Sequence, residues 1–368
     1  LAGKLQNTAG VKRGHFDLIF IDESGQAMEP EAVAPVATLL DPARGQLVLA
    51  GDPKQLGPVI HHTLAKQLGL TTSLLERLMS RPLYQPDGEH GGGYNSLVLT
   101  KLVQNFRSHE VLLRLPNNLF YDGELLACAP ELLANCCSRW EGLPQPGVPL
   151  VWHGVNGRDE REGNSPSWFN RDECVIVRDW VDDLLRDRTR LGLRETGEDI
   201  GIITPYNKQS QKLQFMLQGH GRTVGPRGIK VGSTELFQGQ ERKVIIISTV
   251  RSNADHIGFD IKHNLGFLDN PKRFNVAVTR ACSLLIIVGN PAVLTQDPHW
   301  GALLRQCQQL GCYRGVQVAD AVSPDTDDNN VDDAIAQLDE LMLNDDGEPQ
   351  EASHAFQQEG MEMPEHDS

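Results

Sequence analysis

The 368-residue sequence predicts an α/β protein of two doubly wound parallel-sheet lobes, the first incomplete, followed by a disordered acidic C-terminal tail. Three observations carry this prediction. Short apolar, β-branched runs alternate with helically spaced segments in two separate series. A breaker-rich stretch from Arg81 to Asn95, centred on Gly91-Gly92-Gly93, separates the series. From about Asp320 the composition turns to Asp, Glu, Asn, Gln, Pro and Ser, too poor in apolar surface to offset the entropy of ordering. The divisions expected are 1–96, 97–316 and 317–368.

In the first series, Phe16 to Ile21 is an apolar run ending in two acids, Pro30 to Leu40 has helical spacing, and Gln46 to Ala50 is a second apolar run ending in Gly51-Asp52. That is a strand-helix-strand unit of a buried parallel sheet. Ser73 to Met79 adds a short amphipathic helix. In the second series the strands are Ile200 to Thr204, Val244 to Thr249 and Leu284 to Val288, with helices over Arg171 to Arg186 and Lys208 to Leu217. Two such units predict a cleft between lobes, with ligands beyond the carboxyl ends of the strands.

The formal charge of -15 argues against a polyanionic partner until its distribution is considered. Asp320 to Ser368 holds 16 acidic residues and no Lys or Arg, leaving 33 acidic against 34 basic residues in the body. A near-neutral body can present a basic groove, because nucleic-acid binding depends on local charge. No run of about 18 apolar residues or signal-peptide pattern is present, so neither a membrane partner nor secretion is expected. The seven cysteines are scattered without a CxxC pair and read as reduced structural thiols. His61-His62 lacks a second ligand pair at metal spacing and reads as a solvated loop. In the tail, Ile335, Leu338, Leu341 and Met342 share one face of a helix over Asp332 to Leu343, either a segment that folds into a protein partner's groove or a nascent helix without a client.

The strongest local signal is Asp22-Glu23-Ser24-Gly25-Gln26 closing an apolar strand. Adjacent acids at a strand end place one carboxylate to coordinate Mg²⁺, usually through water, and the next to orient and deprotonate an attacking water. Asp22 takes the metal role and Glu23 the base role; acid pairs after strands also serve as helix N-caps. The second strand ends in Gly51-Asp52-Pro53-Lys54-Gln55-Leu56, where Gln55 either senses a γ-phosphate or belongs to an ordinary Asp-Pro turn.

DESGQA and GDPKQLGPV are followed in order by VQNFRSH (Val103 to His109), ITPYNKQ (Ile203 to Gln209), GSTELFQGQERKVIIISTVRS (Gly232 to Ser252) and NVAVTRA (Asn275 to Ala281). Over roughly residues 10 to 316 this series resembles superfamily 1 helicases, and the DExxQ, TPY and FQGQE wording resembles their Up-frameshift-like branch. LERLMSRP, REGNSPSWFN and LGFLDNPKRFNVAVTRA look closest to the Armitage or Moloney-leukaemia-virus-10-like RNA helicases. The resemblance implies two RecA-like lobes, ATP and Mg²⁺ as cofactors, single-stranded RNA as partner, stepping from 5′ to 3′, and work in RNA silencing or RNA decay, in the cytoplasm and its RNA granules.

By position, the resemblance makes Arg107 and Arg280 arginine fingers on the γ-phosphate, which a lysine could not replace with the same planar fork. Phe106 stands where the branch more often has tyrosine, retaining stacking on adenine but losing a hydroxyl. Glu241 is expected to accept from ribose hydroxyls and Gln238 to couple ATP to nucleic acid. Thr204, Ser233 and Thr234 are expected to grip the phosphodiester backbone, a contact that reads no sequence. Outside the resemblance, each of these side chains has an ordinary structural explanation: surface ion pair, helix-start polarity, or strand-end threonine.

No GxxxxGKS or GxxxxGKT string, whose amides and lysine cradle phosphates, occurs in the sequence. The chain is therefore expected to begin inside the first lobe and to bind ATP very weakly on its own. A DNA helicase of the same superfamily and a non-catalytic RNA-binding scaffold are the rival readings.

Overall fold

The computed structural model describes residues 4, 8–60, 62–87, 93–163, 165, 167–253, 267 and 270–316. The tail, with its expected docking helix at Ile335 to Met342, and His61, Gly91 and Gly92 lie outside the described residues. Contacts among residues 1–327 form one compact unit.

The first series folds as predicted. Strands β1 (Leu18–Ile21) and β2 (Gln46–Leu49) pair in parallel, Leu18 with Gln46 through Ile21 with Leu49, joined by the helix Glu29–Leu39. Pro30 in the first turn suits that helix, because its missing N–H has no intrahelical partner there. The Met28 N–H donates to Glu31 Oε2 at 3.1 Å. Ser73 caps the helix Leu74–Met79 through the Glu76 N–H at 3.1 Å. Arg77 of that helix forks onto Glu29 with two 2.7 Å bonds, tying the two helices together.

The second series builds a larger sheet than its three clearest apolar runs indicate. Two-residue strands β3 (Gln104–Asn105) and β4 (Leu126–Ala127) pair at its margin, and a hairpin of β6 (Asp159–Arg161) and β7 (Trp168–Asn170) stands apart. The main sheet contains β5 (Leu150–Gly154), β8 (Ile200–Ile203), β9 (Lys230–Gly232), β10 (Arg242–Ser248), β11 (Ala281–Gly289) and β12 (Tyr313–Gly315). Its order is β12-β5-β11-β10-β8-β9, parallel throughout. The central strands β10 and β11 are almost wholly buried, as their unbroken Val, Ile and Leu runs require. The helices Arg171–Arg186 and Asn207–Gly219 pack against this sheet, and Asn170 caps the first through the Glu173 N–H at 3.1 Å.

The core centres on Trp300 of the helix Pro298–Gln309. Its ring stands edge-on to Phe274 at 5.0 Å and to Trp152 of β5 at 6.2 Å. Trp300, Trp152 and Phe274 are all buried.

One topological expectation is corrected. At the junction of the two sheets, the first sheet presents its carboxyl ends, Asp22 after β1 and Asp52 after β2. The second presents amino ends: Gln238 to Glu241 run into β10, and Arg280 immediately precedes β11. The rule placing ligands beyond carboxyl ends concerns a single open sheet. It does not specify which end of a second sheet turns toward the first.

Candidate active site

Two strand-end loops form the first wall. The Ser24 N–H and Oγ both reach Ala50 O at 2.8 Å, bringing the segment after β1 against the segment after β2. Glycine is needed where they touch: a Cβ on Gly51 would lie 2.9 Å from Gly25 N, and one on Gly25 would lie 3.1 Å from Asp52 O. Glu23 has φ 49°, a left-handed conformation uncommon outside glycine, and Asp22 Oδ1 accepts its N–H at 2.9 Å. Backbone strain of this kind concentrates where a side chain must be aimed.

The second wall comes from the larger sheet. Arg280 is 1% exposed, with Nε bonded to Val276 O at 3.1 Å and Nη2 reaching Thr279 Oγ1 at 3.1 Å and Gln55 Oε1 at 3.2 Å. This last bond joins two expected site residues 225 positions apart. Burial, and then the neighbouring Arg107, lowers the Arg280 pKa to about 10, which leaves it cationic at neutral pH.

Gln238 Nε2 also crosses between the walls, to Leu56 O at 3.4 Å. Glu23 approaches from the opposite side, its Oε1 3.5 Å from where a Gly239 Cβ would stand. Glu23, Gln55, Gln238 and Arg280 therefore converge. Arg107 bonds through Nε to Glu241 and through Nη1 to Thr279 O at 3.5 Å, so these two residues meet each other. Phe106 is 62% exposed, an open face for stacking.

The three expected backbone-gripping residues form a group of their own. Thr204 follows β8 and its N–H donates to Gly232 O at 3.0 Å, bringing it beside Ser233 and Thr234. Thr204 and Thr234 are nevertheless buried, at 1% and 0% exposure, and neither hydroxyl has a partner among the described residues. Ser233 is the more accessible. The two threonine hydroxyls thus lack a surface here, and Ser233 is the one of the three with an exposed part.

Several organising residues escaped the sequence reading. Asp52 accepts from Lys54 N at 2.8 Å, Gln55 Nε2 at 3.0 Å and Tyr121 OH at 2.7 Å. Asn275 Nδ2 donates to Lys54 O at 3.0 Å and to Tyr121 OH at 2.8 Å. Behind the carboxyl end of β10, buried Glu173 accepts from Ser248 Oγ at 2.6 Å and from Val250 N at 2.9 Å. The adjacent Arg251 guanidinium lies 4.0 Å from the Trp168 ring centroid and pairs with Asp159 at 2.6 Å. Asp52, Trp168, Ser248, Arg251 and Asn275 lie inside the quoted motifs without a role assigned to them there, whereas Tyr121, Asp159 and Glu173 carried no local signal.

The donor set fits a phosphate-bound Mg²⁺. Among the described residues no group of three or more His, Cys, Asp and Glu is arranged to hold a metal. Mg²⁺ needs no such cage, since it keeps several waters and takes one or two carboxylates plus substrate phosphates. Asp22 supplies such a carboxylate.

Residues 70–292 match a family model described as an AAA domain, and residues 2–63 match a second model of the same description. The chain is 51% identical to the RNA helicase Mov10l1 of Homo sapiens over 85% of its own length and 25% of that protein's. It is 50% identical to the Danio rerio protein mov-10-B.1, covering 86% of this chain and 31% of that one. With the Drosophila melanogaster protein armi the identity is 38%, over 85% and 26%. The chain thus spans about a third or less of these relatives' lengths.

Proposed function

Since the chain belongs to the AAA-domain family, within the Up-frameshift-like superfamily 1 helicases of the Mov10 and Armitage group, we propose that it is the catalytic wall of an ATP-dependent RNA helicase. The observation that carries the reading is the convergence of Glu23 and Gln55 from one sheet with Arg280 from the other, joined by the 3.2 Å Arg280–Gln55 bond. Phosphoryl transfer demands little covalent chemistry from a protein; it requires positioning and neutralisation of charge spread over the transferred group. Asp22 would be the protein carboxylate that holds Mg²⁺, which when bound would neutralise charge developing on the phosphates.

Glu23 is the base that orients and deprotonates water. Arg280 brings a desolvated positive charge to the γ-phosphate, where electrostatic stabilisation exceeds its value in water. Arg107 and Glu241 act as a pair, the guanidinium on phosphate and the carboxylate toward the ribose, beside Phe106 stacked on adenine. RNA lies along Ser233 and the amides next to Thr204, contacts suited to a motor that reads no sequence. Because the junction joins two sheets, ATP binding favours their closed arrangement and hydrolysis releases it, giving steps from 5′ to 3′. The names of two relatives, both printed as RNA helicases, favour RNA over DNA; a role in RNA silencing or decay, in the cytoplasm and its granules, belongs to the same proposal.

The test is Glu23→Gln in the full-length protein. It should bind ATP with unaltered affinity in calorimetry and lose RNA-stimulated turnover; a hydrolysis rate equal to wild type would remove Glu23 as base.

A further inference from the structure

Gln55 can meet Arg280 only if its amide points the right way. A glutamine amide presents an acceptor oxygen and a donor nitrogen, nearly equal in size, so its hydrogen-bond network sets the orientation. Here Nε2 donates to Asp52 Oδ2 at 3.0 Å, leaving Oε1 for Arg280 Nη2 at 3.2 Å. Turning the amide over would set oxygen against carboxylate and N–H against guanidinium, two unfavourable contacts. The orientation of Gln55 therefore follows from the position of the Asp52 carboxylate.

That carboxylate is held from across the junction. Tyr121 OH donates to Asp52 Oδ2 at 2.7 Å, while Asn275 Nδ2 reaches both that hydroxyl, at 2.8 Å, and Lys54 O, at 3.0 Å. Tyr121 is itself rigidly mounted. It ends the helix Glu110–Phe120, where Asn117 O accepts its N–H at 3.0 Å. Asn117 also exchanges two 2.9 Å side-chain bonds with Leu125, closing the turn that follows. The preceding Phe120 ring stacks on His299 at 5.5 Å and packs against Phe274 at 6.2 Å, inside the core of the larger sheet. The phenol is thus a fixed point of the second sheet's scaffold.

We infer that Tyr121 is a positioning residue for the hydrolysis reaction: its hydroxyl fixes Asp52, and Asp52 sets the Gln55 amide so that its oxygen faces Arg280. Burial and the Asp52 charge push the Tyr121 phenol above its ordinary range, which keeps it a hydrogen donor at every working pH. Arg280 and Tyr121 are thereby linked twice, through their own scaffold and through the 52–55 loop of the first sheet. When the sheets separate, Gln55 Oε1 loses Arg280 and Asp52 loses Tyr121 together, while the Gln55–Asp52 bond stays within its own loop. The role in hydrolysis rests on the proposed ATPase function; the orientation of Gln55 does not.

The test separates the two by using Tyr121→Phe, which removes one oxygen and keeps the ring. In the deuterated, ¹⁵N-labelled 368-residue chain, the Gln55 side-chain amide is assigned by its loss in Gln55→Ala. In wild type its two Nε2 protons should be well separated in shift and slow to exchange with water. In Tyr121→Phe the separation should collapse and exchange quicken by about tenfold, as loss of one ordinary hydrogen bond from the network implies. In the full-length protein, kcat should then fall about 10- to 100-fold with KM for ATP within about twofold, the pattern of a misplaced rather than a missing group. An unchanged Gln55 amide in Tyr121→Phe overturns the inference. A changed amide with unchanged kcat overturns the role in hydrolysis, while a changed amide alone sustains the Gln55 orientation even if Glu23→Gln removes Glu23 as base.

Discussion

Glu173 offers a measurement that isolates one proton. The residue sits in the first turn of the helix Arg171–Arg186, fully buried, 75 positions from the serine that contacts it at 2.6 Å. Desolvation raises its pKa from 4.5 to about 8, against the hydrogen bonds from Ser248, Val250 and Thr249 that favour the anion. The native carboxyl therefore keeps its proton up to about pH 8, whereas the unfolded chain releases it near 4.5. Between those values the native state holds one proton more, so stability is greatest below the unfolded pKa and falls as pH rises. The slope is about 1.4 kcal/mol per pH unit, or about 2.7 kcal/mol between roughly pH 5.5 and 7.5. Glu173→Gln retains an acceptor for the Val250 N–H and a donor for Ser248 Oγ but cannot ionise. Urea unfolding of both proteins at the two pH values should show wild type losing about 2.7 kcal/mol relative to the variant, background titrations cancelling in the difference. Parallel pH dependences, agreeing within about 0.5 kcal/mol, would refute a native carboxyl that stays protonated near neutrality.

Two further substitutions probe the scaffold. Gly51→Ala puts a Cβ 2.9 Å from Gly25 N, 3.1 Å from Ser24 N and 3.1 Å from Leu75 Cδ2. Because two of those atoms are backbone, the loops must part, at a cost of about 1–3 kcal/mol in urea unfolding; wild-type stability would show that the strand ends are not in contact. Trp300→Ala empties the centre of the larger sheet's core and should cost about 3–5 kcal/mol, read as a lowered midpoint of thermal unfolding. A loss below about 1 kcal/mol would place Trp300 outside the cooperative core.

The parts of this fold legible in sequence are those whose cause is local. The runs that became β1, β2, β8, β10 and β11 announce themselves because parallel strands buried on both faces need unbroken apolar residues. The helix Arg171–Arg186 was legible to the residue, since Asn170 caps it and its apolar face repeats at helical spacing. Strands β9 and β12 have three residues each and owe their existence to the neighbour they pair with, so no pattern of their own marks them. The same distinction runs through the site. Asp22, Glu23 and Gln55 sit at strand ends that sequence can locate, whereas Tyr121 touches Asp52 from 69 positions away.

Charge compensation is the least legible property, and Arg280 shows why. Sequence sets Arg107 and Arg280 equal, two guanidinium groups in helicase-like motifs. In the fold, Arg107 meets the carboxylate of Glu241, while the four hydrogen-bonding partners of Arg280 are neutral: Val276 O, Gln240 O, Gln55 Oε1 and Thr279 Oγ1. The acids that favour its charged form, Glu23 foremost and then Glu241, act on it through space. Burial of a cation is costly unless an opposite charge is close, and the cost appears as the pKa lowered to about 10. An arriving anion would offset that cost at Arg280, whereas at Arg107 it must compete with a carboxylate already bound. The two arginines therefore differ in what an anion gains by approaching them, a difference to which Gln240 and Gln55, 40 and 225 positions from Arg280, and Glu241, 134 positions from Arg107, contribute from outside either arginine's own motif.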